Sequence, residues 1–98
     1  MIMVLAKAIP KDEDAKAKII EFSKDLIENS KKEKGNVDYN LFDNTVDGTL
    51  LFVEQWESIE ILHSHFEEDH FIKFGENIAG LTDGDLAIDI YNAEEVES

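Results

Sequence analysis

The chain has 98 residues, 23 acidic side chains against nine basic ones, a formal net charge of −14 and no cysteine. Its length suits one domain, and its charge argues against a nucleic-acid partner, whose phosphates it would repel. Without cysteine there are no disulfides, no thiolate metal sites and no cysteine nucleophile. All nine basic residues are lysines, so no arginine fork can clamp a carboxylate or phosphate. No signal peptide and no membrane span are legible, which makes the cytoplasm the expected location.

In chain order, Met1–Ile9 is an apolar run closed by Pro10 and is expected to form a buried strand. Asp12 is positioned as an N-cap, with Glu13 and Asp14 in the first turn of a helix. Ile19, Phe22, Leu26 and Ile27 recur at helical spacing as its inward side. Lys31, Lys32 and Lys34 suit its last turn, and Gly35 its left-handed stop. Val37–Phe42 alternates, placing Val37, Tyr39 and Leu41 on one face. A polar cluster ending in Asp47-Gly48 leads to a further strand, Thr49–Trp56, so the two strands read as a hairpin. Ser58 can cap a second helix with Ile59, Leu62 and Phe66 inward. A third helix is expected from about Asp69 to Ile78, and a last strand over Leu86–Tyr91. Residues 1–92 would form the domain and residues 93–98 an acidic tail.

This order predicts an α+β, ferredoxin-like split βαβ fold: a four-stranded antiparallel sheet with its helices on one face. The opposite face is also apolar, through Met1, Met3, Leu5, Ile9, Leu51 and Val53 or their neighbours. A sheet with two apolar faces and one helical layer must bury the second face elsewhere. A homodimer packed sheet to sheet is therefore expected.

Chemical groups concentrate between Phe52 and Phe71, which hold the one tryptophan and all three histidines. Phe52, Glu54 and Trp56 project to one face of their strand. There a carboxylate and an indole could border a cavity for a small aromatic molecule, or fill the core. His65 is the candidate proton acceptor, because imidazole titrates near neutrality. Its neighbours Glu67, Glu68 and Asp69 favour the charged form. Tyr39 and His70 are candidate substrate contacts, and His63 is expected at the surface. On one continuous helix His63 and His70 stand about 10 Å apart, too far for one ion. Only a break near Glu67 would let His65 and His70 converge, with Glu54 as the third group, so no metal is expected. No phosphate loop or nucleotide fingerprint is present, and no cofactor is expected.

Taken together, these residues resemble the antibiotic biosynthesis monooxygenase family, whose fold is a dimeric α+β barrel. The resemblance is carried by Gly35 before the strand Val37–Phe42, by Phe52-Val53-Glu54-Gln55-Trp56, by Ser58-Ile59-Glu60 and Leu62-His63-Ser64-His65, and by Asp69-His70-Phe71. It implies that Glu54, Trp56, His65 and His70 occupy the family's pattern positions. It further implies a cofactor-independent monooxygenase acting on a small aromatic or quinol-like substrate, held between sheet and helices. A dimeric small-molecule-binding protein and a small-metabolite isomerase are the alternatives. Relatives that degrade heme use a helix tryptophan and a later histidine. Here His65 occupies the tryptophan's place and no histidine follows His70, which argues against that chemistry.

Overall fold

The computed structural model describes residues 1–97. The last residue of the expected acidic tail, Ser98, lies outside them. The elements run β1 (Ile2–Ala8), α1 (Glu13–Ser30), β2 (Asn36–Asp43), β3 (Leu50–Trp56), α2 (Ile59–Phe66), α3 (Asp69–Ile78) and β4 (Ala87–Asn92). The strands form one antiparallel sheet in the order β2-β3-β1-β4. This is the expected ferredoxin-like α+β arrangement, with the three helices on one side. Among the described residues, no helix is long and apolar enough to cross a membrane.

Local chemistry explains the element boundaries. Asp12 accepts a hydrogen bond from the Ala15 N–H at 2.7 Å and starts α1. Ser58 does the same for α2, accepting from the Ile61 N–H at 3.2 Å. The face of α1 that meets the sheet is Ala15, Ile19, Ser23, Leu26 and Ser30, repeating every three or four residues. Phe22 flanks that stripe and is partly exposed, not inward as its spacing suggested. The helix ends at Ser30, so the three lysines lie beyond its last turn. Gly35, at φ +88°, serves the turn into β2 instead of capping the helix.

Two further differences have simple causes. Val37 is exposed whereas Tyr39 is buried, because a bulge between Asn36 and Asp38 breaks the alternation. Every residue of β4 is exposed, since the helices do not extend over it. Ile88 and Ile90 pair with Ala6 and Val4 on the helix side yet remain 42% and 43% exposed.

The core lies between β1, β3, β2 and the helices, around Val4, Ile19, Leu50, Phe52, Trp56 and Leu62. On the other face of the sheet, Leu5 pairs with Val53 and Leu51 with Phe42, while Met3 pairs with Tyr91. None of these six is buried within the chain.

Candidate functional site

Strand alternation places Leu50, Phe52, Glu54 and Trp56 on the helix side of β3, and all four are buried. A carboxylate in such a row must find donors. The Trp56 indole N–H donates to Glu54 Oε1 at 3.0 Å. Tyr39 stands opposite Glu54 on β2, and its hydroxyl approaches the same carboxylate. Burial pushes the Glu54 carboxyl up to about 7, although the Trp56 and Tyr39 hydrogen bonds pull it down. The negative charge of Glu33 adds slightly to the rise. Burial, followed by Glu54, drives the Tyr39 phenol well above its ordinary range, so it remains a donor.

Glu54 and Tyr39 border a small, partly open void together with Phe52, Phe66, Phe71 and Phe74. Leu86 and Ile88 line it on the β4 side. Its free volume is about 20 Å³, enough for a water and too small for an aromatic ring. Leu86 and Ile88 also line an open cleft between α3 and β4, together with Gly75, Ile78 and Gly80. The void and the cleft therefore share one wall.

A second cluster lies beside the first. Between α2 and α3 the chain breaks: Glu67 is still helical, whereas Glu68 is extended at φ −72°, ψ 144°. That break turns His70 back towards His65. Both rings meet the same oxygen of Glu33, in the turn between α1 and β2. His65 Nδ1 is 2.6 Å from Glu33 Oε2 and His70 Nε2 is 2.7 Å from it. His65 is fully buried, packed against Trp56 with ring centres 4.5 Å apart and planes tilted by 38°. Phe71 covers another side of its ring at 5.0 Å. Burial lowers the His65 pKa, against the raising effect of Glu33. Its Nε2 is buried without a partner.

The expected site residues thus divide into two groups. Glu54, Tyr39 and Phe52 line the void. Trp56 is wholly buried behind it and holds Glu54 through its N–H. His65 lies beyond Trp56 and lines none of the described cavities. His70 borders a shallow groove with Phe22 and Lys73. His63 is exposed, as expected. The break near Glu67 does bring His65 and His70 together, but on Glu33 and not on Glu54. Glu33 escaped the sequence reading because a glutamate among Lys31, Lys32 and Lys34 looks like a solvated surface charge. Phe66, Phe71 and Phe74, the last two on α3, were legible only as core.

The ferredoxin-like sheet thus carries a buried carboxylate beside a small, aromatic-lined void under its helices. The chain belongs to the antibiotic biosynthesis monooxygenase family, whose model matches residues 1–77. It is 32% identical over 97 residues to the uncharacterized protein sll1783 of Synechocystis sp., covering 98% of this chain and 66% of that protein. A conserved protein from Methanosarcina mazei Go1 superposes with a TM-score of 0.86 at 29% identity, over 95% of this chain and 92% of the other. Rv0793 from Mycobacterium tuberculosis shares the fold, with a TM-score of 0.90 at 21% identity over 99% and 98% of the two chains.

Proposed function

We propose that this protein is a cofactor-independent monooxygenase for a small, neutral aromatic substrate of the phenol or quinol type. One observation carries the reading: Glu54, with a pKa near 7, faces a void otherwise walled by aromatic and aliphatic side chains. A carboxyl tuned to neutral pH can take a proton there and return it. We assign the base to Glu54 and not to His65, because Glu54 borders the void.

Tyr39 would donate to the substrate oxygen, and Phe52 with Phe71 and Phe74 would hold the ring. Trp56 and His65 are positioning residues, Trp56 through its hydrogen bond to Glu54 and His65 through its packing against Trp56. The chemistry balances without an added reductant. Glu54 takes the phenolic proton, and the electron-rich ring carbon forms a C–O bond to dioxygen. The resulting hydroperoxide breaks its O–O bond and loses water, leaving a quinone carbonyl. One oxygen atom ends in product and one in water, and the substrate supplies all the electrons. Entry requires the Leu86–Ile88 wall to part from α3 and join void to cleft. The active unit would be a homodimer, packed through the open sheet faces.

Oxygen uptake over a panel of phenols and quinols tests this reading. Turnover should fall about 100-fold or more in Glu54→Gln and be unchanged in His63→Ala. Turnover that ignores oxygen would make the protein an isomerase using the same proton shuttle. Ligand binding that quenches Trp56 fluorescence without turnover would make it a binding protein.

A further inference from the structure

We infer that Glu33, His65 and His70 form a binding site for a divalent transition-metal ion. The site does not depend on the monooxygenase reading, and nothing in that reaction uses a metal. Three separate elements deliver the ligands: the α1–β2 turn, the end of α2 and the first turn of α3. The Glu33 oxygen, His65 Nδ1 and His70 Nε2 all lie within 4.8 Å of one another.

Ligand atoms bound at about 2.0–2.2 Å around a tetrahedral ion stand about 3.3–3.6 Å apart. The two nitrogen–oxygen distances here, 2.6 and 2.7 Å, are shorter than that. A metal would therefore displace the shared hydrogen bonds and push the carboxylate outward by about 0.6–1 Å. Glu33 has room to move, since it lies in a turn and its side chain is partly open to solvent. His65 has none, so it would act as the rigid anchor, its Nδ1 aimed at Glu33 from within the aromatic wall. His70 is 13% exposed, which leaves the remaining coordination positions on the solvent side for water.

The donor set selects the ion. Two imidazoles and one carboxylate, with no thiolate, suit zinc, nickel or cobalt and not calcium or magnesium. Glu67, Glu68 and Asp69, which surround the break, add negative potential that attracts a cation. Binding would pin α2 to α3 across their two-residue gap. It would also hold His65 against Trp56, and through Trp56 fix Glu54.

The test is calorimetric titration of chelator-treated full-length protein with Zn²⁺, with Co²⁺ as the spectroscopic probe. One ion per chain should bind, raise the melting temperature and give cobalt d–d bands of a low-coordinate nitrogen–oxygen site. Affinity should fall about 10-fold or more in Glu33→Gln and in His70→Ala, and hold in His63→Ala. Should either weakened variant lose its fold, histidine ring NMR of the native chain gives the same answer. Zinc should then shift the His65 and His70 resonances and spare His63. No stoichiometric binding, binding that survives both variants, or shifts confined to His63 would overturn the site.

Discussion

Glu54 is the residue at which burial and function pull against each other. Its carboxyl rises to about 7 in the folded chain from an ordinary value of 4.5. A group raised in this way contributes stability that is complete below the unfolded pKa and is lost as pH climbs through the folded one. Between about pH 4.5 and 7 the native state binds more protons than the unfolded state, so stability falls with rising pH. A shift of that size corresponds to about 3 kcal/mol. The groups facing Glu54 are the Trp56 N–H and the Tyr39 phenol, with Glu33 acting from farther off. Neither Trp56 nor Tyr39 titrates in this window. Glu54→Gln keeps an acceptor for Trp56 and removes the titration. Urea unfolding at pH 5 and pH 8, with chelator present, should show a pH dependence smaller by about 2–3 kcal/mol in the variant than in the parent chain. Equal slopes would mean that Glu54 is not perturbed.

At the scale of elements, the turn between α1 and β2 positions the acid of the second cluster. Gly35 makes that turn possible. It sits at φ +88°, and a Cβ there would collide with the Ile61 side chain of α2. The Gly35 carbonyl also accepts from the Glu57 N–H at 2.9 Å, tying the turn to the end of β3. Gly35→Ala should therefore destabilise the fold by about 1–3 kcal/mol. It should also weaken metal binding, because Glu33 is two residues away. Thermal unfolding and zinc titration of the same variant measure both effects. Much of this level was legible in advance. The capped starts of α1 and α2 and the whole span of α3 follow from side-chain chemistry within a few residues. The bulge beside Val37 and the bareness of β4 were not legible, since each depends on what a neighbouring element covers.

For the whole molecule, the open face of the sheet is the dominant fact. Met3, Leu5, Leu51 and Val53 are half-buried and lie side by side across β1 and β3, flanked by exposed Phe42 and Tyr91. Apposing two such faces would bury an apolar layer about 10 Å thick. Sedimentation should thus give a dimer of two 11.1 kDa chains, and Val53→Lys should shift it to monomer. With a net charge of −14 on each chain, the partners repel at long range. Raising salt from about 10 mM to about 0.5 M should tighten the dimer by screening that repulsion. A monomer under all conditions would leave the second apolar face unexplained by self-association.

The sequence by itself determined the element order, the N-caps of α1 and α2, the second apolar face and the family pattern from Glu54 to Phe71. All of these are written in periodicity and in contacts between near neighbours. Only the tertiary structure decided which chemical groups meet. Glu54 and Tyr39 face a void because β2 and β3 pair in one register. His65 is withdrawn from that void because Trp56 and Phe71 pack against it. Glu33 joins two histidines that lie 32 and 37 residues away. Such meetings depend on the geometry of packed elements, and no spacing along the chain encodes them.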